Sequence, residues 1–208
     1  MSPKRAYVSP LRESTAARTR EAILAAATEL FARRGYGLVT VAEIAAAAGV
    51  SAKTVFASVG SKREVLDLIV DVGVTESGSE EVMRQILALG TPQEILRLLA
   101  HGTRLGNESH FDVHEVIHKA LPVHEDSEAL EERAYGDYRA ALRDAAARLH
   151  ALKSPPGYSV AQTADLLWLW FGPASWRTLS AENGWSWDEA EQLLYRTSVA
   201  MLCSAAED

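Results

Sequence analysis

Five capping-box signals, spread along the chain, constrain its fold more than any other feature. In a capping box, a Ser or Thr before the helix accepts a hydrogen bond from the third helical backbone amide, and a Glu or Gln there reaches back. The pairs are Thr40 with Glu43, Ser61 with Glu64, Thr91 with Glu94, Ser159 with Gln162 and Ser186 with Glu189. Each precedes a stretch with helical apolar periodicity, and strand alternation does not recur. The sequence therefore predicts an all-α protein.

Apolar spacing and breaker residues give approximate bounds for these helices. The predicted helices cover residues 15–34, 41–48, 51–58, a segment that begins at 61, and then 92–105, 111–120, 128–152, 160–181 and 187–205. The pattern loosens around Gly73, Gly78 and Gly90, which predicts an irregular connection between domains. The Ser-Pro-Pro-Gly segment at 154–157 predicts a break between two helices.

The net charge of −7 combines two regions of opposite sign. Residues 1–63 hold ten Lys and Arg against four Glu, a charge of +6, and the rest holds eleven against twenty-four Asp and Glu, a charge of −13. A basic N-terminal region on an acidic remainder predicts that only this region binds a polyanion such as DNA. It also argues against a nonspecific architectural DNA binder. A solvated charged surface is the alternative that the counts alone leave open.

Several features bear on localisation and on chemistry. No apolar run reaches the length of a membrane span, and no apolar segment follows the basic residues near Met1, so we expect no signal peptide. The single cysteine, Cys203, excludes an internal disulfide and a thiolate zinc cluster. There is no G-x-S-x-G motif and no phosphate-binding glycine loop. These features predict a cytoplasmic protein that is not an enzyme and has no cofactor.

Residues 40–56 have the pattern of a helix-turn-helix, in which two short helices cross steeply through a turn of three or four residues. Ala45 and Ala46 are small enough for close approach, and Gly49 can adopt the positive φ that the turn needs. The apolar contacts between the helices are assigned to Ile44, Val50 and Val55. The second helix of such a unit enters the major groove, where its first residues contact bases. Those residues are Ser51, Ala52, Lys53 and Thr54. The alternative is an ordinary alanine-rich helical hairpin.

The sequence around this unit resembles the tetracycline-repressor (TetR) family. The resemblance covers residues 19–36, from Thr-Arg-Glu to Arg-Gly-Tyr, and residues 41–66, which include Ala-Gly-Val-Ser and Gly-Ser-Lys-Arg-Glu. Residues 165–168 and 183–186 resemble the last two helices of one branch of the family. The resemblance implies a homodimeric, sequence-specific repressor that a small molecule releases from a palindromic operator. It implies a helix-turn-helix domain at residues 1–60 and a helical bundle for effector binding and dimerisation at residues 61–208.

The same resemblance implies that Thr40, Ser61 and Lys62 contact DNA phosphates, which set register while base contacts set specificity. Phe56 stands where the family usually has tyrosine, so this DNA contact loses a hydrogen bond to phosphate. An aromatic residue or histidine followed by Phe is usual where residues 57–59 are Ala-Ser-Val. The end of the recognition helix is therefore expected to be less well anchored. The helix beginning at Ser61 is predicted to be the only regular link between the domains.

His114-Glu115-x-x-His118 matches the zinc-peptidase motif H-E-x-x-H, which places two imidazoles on one helix face beside a carboxylate. His124 occupies the position of a third ligand and His110 extends the row, but Leu121 stands where the longer motif needs glycine. We interpret these side chains as polar residues of a pocket or surface. A metal-sensing regulator and a zinc-dependent hydrolase are the alternatives.

Residues 166–171 are apolar all round, so this helix must be covered on more than one side. We predict that one cover is an effector pocket that accepts a planar aromatic or lipophilic ligand. Its predicted lining is Phe111, His114, His118, Tyr135, Tyr138, Trp168 and Phe171. Plain core packing of these aromatic side chains is the alternative.

Overall fold

The computed structural model describes residues 10–75, 79–152 and 156–203, and in these ranges the regular structure is helical. The α-helices are α1 (Pro10–Arg34), α2 (Val41–Ala47), α3 (Ala52–Val59), α4 (Lys62–Thr75), α5 (Ser79–Ala88), α6 (Pro92–Ser109), α7 (Phe111–Ala120), α8 (Ser127–His150), α9 (Val160–Phe171), α10 (Pro173–Trp176) and α11 (Trp187–Leu202). Two 3₁₀ turns (Tyr36–Leu38 and Leu121–Val123) and a π-helix (Arg177–Glu182) join some of them. The predicted all-α class is confirmed.

All five predicted capping boxes form. Thr40, Thr91, Ser159 and Ser186 each exchange both hydrogen bonds with the residue three positions on. At the start of α4, the backbone amide of Ser61 donates to Glu64 at 2.7 Å, and the amide of Glu64 donates to the Ser61 hydroxyl at 3.3 Å. These bonds satisfy amides that have no partner inside the helix.

Two helices are longer than predicted, because α1 begins at Pro10 and not at 15, and α6 ends at Ser109 and not at 105. Two further segments differ from the prediction. The stretch between Gly73 and Gly90 contains helix α5, whose Ile86 is fully buried in the core. The predicted helix 160–181 is interrupted at Gly172, because Pro173 has no amide hydrogen to continue the α-helical bonding. Gly78 and residues 154–155, where irregular structure or a break was predicted, lie outside the described residues.

The chain divides into two compact units. The first comprises residues 1–73 and 115–131, and the second comprises residues 74–114 and 132–208. This division differs from the predicted domains 1–60 and 61–208, because α4 lies mostly in the first unit. Helices α7 and α8 each begin in one unit and end in the other. The prediction that the helix at Ser61 is the only regular link is therefore wrong.

Each unit has its own core. In the first, α1 buries Ile23, Ala27 and Phe31, which lie four residues apart on one helix face, together with apolar residues of α2, α3 and α4. In the second, α5, α6, α8, α9, α10 and α11 enclose a larger core that includes Leu167 and Trp176. Among the described residues, no single helix is long and apolar enough to cross a membrane. Helices α2 and α3 taken together have the length and apolar composition of a membrane span, but the pair is bent by 98° at its break.

Candidate nucleic-acid interface and effector site

Helices α2 and α3 form the steep crossing that a helix-turn-helix requires, with an angle of 98° at their break. Gly49 in the turn has φ of 68°, a left-handed value that glycine adopts at little cost. Ile44 and Val55 are fully buried and Ala45 nearly so. Ala46 is exposed, which corrects its predicted place between the helices: it lies about 100° around α2 from Ala45.

The exposed face of α3 carries Lys53, Phe56 and Ala57, which lie three and four residues apart and so share one side of the helix. The opposite face is anchored by Val55 and Val59, which are buried. The Phe56 side chain is 55% exposed. This face is therefore free to meet another molecule.

Ser51 and Thr54, which are predicted base contacts, bond to each other at the start of α3. The Ser51 hydroxyl accepts a hydrogen bond from the Thr54 amide at 3.1 Å and lies 2.8 Å from the Thr54 hydroxyl. Ser51 is thus the N-cap of the recognition helix. Ala52, the remaining predicted contact, is half-buried. Base contact by these three residues stays a prediction.

Thr40 caps α2 and positions the ion pair between Glu43 and Arg34 beside it. The Thr40 amide and hydroxyl both donate to the Glu43 carboxylate at 2.8 Å, and Arg34 pairs with the same carboxylate at 2.8 Å. The hydrogen bond from the backbone amide of Thr40 contributes most to lowering the pKa of Glu43 to about 2. Glu43 therefore stays ionised and keeps Arg34 close to the N-terminus of α2, the end of a helix that attracts phosphate.

The Lys62 ammonium group contacts the 3₁₀ turn that precedes α2. Its Nζ donates to the carbonyl oxygens of Tyr36 at 2.8 Å and Val39 at 2.9 Å, and lies 4.4 Å from the centre of the Tyr36 ring. Burial lowers the pKa of Lys62. Two of its three N–H donors are used inside the protein, so one donor is left for a phosphate. Phosphate contact by Lys62 and Ser61 stays a prediction.

Arg20 is a functional candidate that the sequence interpretation missed. Its guanidinium donates to the carbonyl oxygen of Ser58 at 3.2 Å and so joins α1 to the last turn of α3. The bond satisfies a carbonyl near the end of α3, where no intrahelical amide is available. It supplies anchoring at the place where the Ala-Ser-Val segment lacks an aromatic side chain. No local pattern signals a bond across 38 residues.

Four of the seven predicted pocket residues form a chain of ring contacts in the second unit. His114 stacks on Tyr135 with ring centres 6.0 Å apart, Tyr135 meets the Trp168 ring at 5.7 Å, and Tyr138 meets it at 5.6 Å. We call these four residues the aromatic cluster. Arg139 lies over Trp168, 3.9 Å from the ring centre. The rings therefore pack directly on one another.

The other three predicted pocket residues lie elsewhere. Phe171 is fully buried, and its carbonyl oxygen accepts hydrogen bonds from the Tyr138 hydroxyl and from Trp176 Nε1. Phe111 pairs edge-on with Trp187 at 5.9 Å. His118 is exposed and lies in the first unit, where it lines an open groove of about 690 Å³ with Arg34, Leu38, Lys119 and Val123.

The H-E-x-x-H residues take separate structural roles. Among the described residues, no group of three or more His, Cys, Asp or Glu side chains is arranged to hold a metal ion. Glu115 pairs with Lys119 at 3.3 Å. His124 Nδ1 lies 2.9 and 3.2 Å from the backbone oxygen and nitrogen of Asp126, in a turn. The geometry therefore does not favour the zinc-hydrolase or metal-sensor alternatives.

The imidazole of His114 is the most perturbed group of the aromatic cluster that can titrate near neutral pH. Burial, and after it the nearby His110, lowers the pKa of His114 from 6.5 to about 4. The ring is therefore neutral at physiological pH. Its Nδ1 is buried and has no hydrogen-bond partner.

The N-terminal part of the chain matches a known family. Residues 23–69, which include the whole helix-turn-helix, match the model of the bacterial regulatory proteins of the tetR family. These residues form a TetR-family DNA-binding domain. As members of this family are DNA-binding transcription factors and not enzymes, the predicted absence of catalysis is confirmed. The family also implies that the regulator binds an operator DNA and a small-molecule effector.

Solved structures of transcriptional regulators share the fold over nearly the whole chain. FadR from Bacillus subtilis, solved in complex with stearoyl-CoA, has a TM-score of 0.69 at 16% identity, over 88% of this chain and 98% of that one. PfmR from Thermus thermophilus, a TetR-family regulator, has a TM-score of 0.63 at 20% identity, over 91% of this chain and 98% of that one. A TetR-family regulator from Bordetella parapertussis has a TM-score of 0.62 at 22% identity, over 88% of this chain and 93% of that one. A search of curated proteins gives no match.

Proposed function

We propose that this TetR-family regulator is a homodimeric repressor, which binds a near-palindromic operator and is released by an aromatic or lipophilic small molecule. The observation that carries the DNA-binding part is the surface of α3. Lys53 and Phe56 are exposed on a helix whose other face is buried, and this helix follows a steep turn. An exposed lysine near the start of a recognition helix suits a guanine edge in the major groove.

The homodimer is supported by apolar side chains that α9 and α11 leave exposed. Leu169 of α9 is 62% exposed and Met201 of α11 is 49% exposed, and Val160 of α9 is exposed as well. A second copy related by a two-fold axis would cover such a surface, since symmetric dimers use the same patch twice. The dimer would present two recognition helices to half-sites one duplex turn apart, which predicts a near-palindrome.

The effector site is supported by the aromatic cluster, which brings four aromatic rings together with an unpaired polar atom of His114. Ligand pockets are typically apolar with few polar groups. The relative from Bacillus subtilis was solved with stearoyl-CoA. A ligand with a long apolar chain is therefore one candidate class of effector, beside planar aromatic compounds.

Selection of bound fragments from random DNA tests the DNA-binding part. We expect enrichment of one near-palindromic sequence. Lys53→Ala is expected to weaken binding to it by roughly 1–3 kcal/mol and to relax the preference at one position in each half-site. Arg84→Ala, which removes an exposed cation of α5, is the matched control and should bind as the wild type does. Enrichment of no sequence, or equal effects of both variants, would contradict the proposed interface.

Titration of effectors with and without operator tests the release mechanism. Coupling between two ligands is reciprocal, so an effector that weakens operator binding must itself bind the free protein more tightly than the operator complex, by the same factor. The compounds are first screened for thermal stabilisation of the free protein. A stabilising compound with equal affinity for the free and operator-bound forms would argue against release by that compound.

A further inference from the structure

Several polar groups of the aromatic cluster and its neighbours form hydrogen bonds within the protein. The Tyr138 hydroxyl donates to the Phe171 carbonyl and accepts from Asn107 Nδ2 at 3.2 Å. Asn107 Nδ2 also donates to the carbonyl oxygen of Thr103 at 2.7 Å. Trp176 Nε1 donates to the same Phe171 carbonyl at 3.1 Å. Because these bonds lie within the fold, none of these donors needs a ligand.

His114 Nδ1 has no such bond. The atom is buried and bonds to no atom of the protein, although the His114 ring is held in position by stacking on Tyr135. Folded proteins leave few buried polar atoms without a partner, and such an atom commonly marks a site for water or a ligand. Here the ring that carries the atom packs against other aromatic rings. The unpaired nitrogen is therefore one polar atom among apolar rings.

The charges around this point disfavour an anionic ligand. His114 is neutral, because burial and the neighbouring His110 both oppose its protonation. The positive charge beside the cluster, Arg139, lies over the Trp168 ring and has a further interaction within the protein. A carboxylate placed beside this imidazole would either be buried without a counter-charge or have to bring a proton to a ring whose pKa is low, and both are costly. A neutral hydroxyl, carbonyl or amide group meets no such cost.

We propose that the effector is an uncharged molecule with an apolar body, and that its hydrogen-bonding group contacts His114 Nδ1 while its body packs against Tyr135 and Trp168. This inference rests on the proposed function, because it takes the aromatic cluster to be the effector site. It gives the H-E-x-x-H motif a role without a metal: His114 serves as a neutral hydrogen-bonding partner. A neutral imidazole can donate or accept at Nδ1, according to its tautomer.

Two sets of probes with matched skeletons test the charge preference. The first set is naphthalene, 2-naphthol and 2-naphthoate, and the second is dodecane, 1-dodecanol and dodecanoate. We expect the neutral alcohol of at least one set to bind more tightly than both the hydrocarbon and the carboxylate, measured by thermal stabilisation and calorimetry. If neither alcohol binds more tightly than its carboxylate, or if stearoyl-CoA is the only stabilising compound among those tested, the inference is wrong.

Calorimetry in buffers of different ionisation enthalpy gives a second, independent readout on the wild-type protein. An alcohol that bonds to neutral His114 should take up almost no protons at pH 7. A carboxylate beside the same ring would raise the pKa of His114 and bring up to about one proton per site with it. Proton uptake that accompanies the tightest-binding probe would therefore overturn the proposal.

His114→Phe preserves the ring and removes the nitrogen. We expect it to weaken binding of the alcohol by about five- to 150-fold, because the ligand hydroxyl is then buried without a partner. Binding of the hydrocarbon should change little. His101→Phe, at a half-exposed histidine of α6, is the matched control and should leave all probes unaffected. Equal binding of the alcohol by wild type and His114→Phe would refute the contact.

The outcomes separate this inference from the proposed function. An anionic compound that releases the operator would contradict the inference and leave the repressor mechanism intact. A neutral compound that binds through His114 without any effect on operator affinity would support the contact and contradict release through this site.

Discussion

Replacing Gly60 with alanine tests the turn that joins the recognition helix α3 to α4. Gly60 has φ of 86° and ψ of −150°, a combination that is essentially restricted to glycine. A Cβ atom there would also clash with Glu64 Oε2, the oxygen that accepts the hydrogen bond from the Ser61 amide. The added methyl group therefore strains the backbone and displaces the carboxylate that caps α4.

The backbone strain is the larger of the two effects, because the Glu64 carboxylate is at the end of a flexible side chain and can rotate away. Holding a non-glycine residue in such a conformation costs about 1–3 kcal/mol. We expect Gly60→Ala to lower the free energy of unfolding by that amount. Operator affinity should fall as well, since the turn sets the position of the last turn of α3.

Urea unfolding at a fixed protomer concentration measures the loss, because the stability of the proposed dimer would depend on concentration. Gly90→Ala is the matched control: Gly90 has no positive φ, and a methyl group there would meet no atom within 4 Å, so the change should be neutral or slightly stabilising. In a Glu64→Ala background, the cost of Gly60→Ala should largely persist. A change of less than about 0.5 kcal/mol in Gly60→Ala would refute the argument from backbone strain.

Three further predictions follow from single groups. The free energy of unfolding should fall by up to about 3 kcal/mol as pH decreases from 6.5 to 4, because unfolded His114 binds a proton there and the folded residue, with a pKa of about 4, does not; His114→Phe should flatten this slope in denaturant titrations at several pH values. Lys62→Met removes two hydrogen bonds to the 3₁₀ turn and should weaken binding to all DNA sequences alike, whereas the control Arg63→Met should not. If Lys62 also contacts a phosphate, the slope of log affinity against log salt concentration should become shallower by about 0.9. Phe56→Tyr should tighten operator binding by about 0.5–1.5 kcal/mol in a titration, whereas an unchanged affinity would contradict a phosphate near this side chain.

Short-range interactions explain why much of the fold could be predicted. A capping box joins residues three positions apart, so the starts of α2, α4, α6, α9 and α11 follow from neighbouring side chains. The bounds of α7 and the positive φ of Gly49 follow from equally local patterns. For the same reason, the sequence around the helix-turn-helix was sufficient to indicate the family. Helix α5 was missed because its flanking glycines suggested a loop, while burial of Ile86 against distant residues stabilises a helix there.

The candidate sites depend more on residues that are distant in the sequence. Lys53 and Phe56 could be placed on the exposed side of α3 from helical spacing alone. The bond from Arg20 to the end of α3 and the bonds from Lys62 to the turn before α2 join residues 23 to 38 positions apart. His114 was chosen for its motif, but its unpaired nitrogen is a result of packing between α7, α8 and α9. Local hydrogen bonds and periodicity thus determine where the helices lie in the sequence, whereas burial, which depends on the whole tertiary structure, decides which polar atoms are paired and which remain for a ligand.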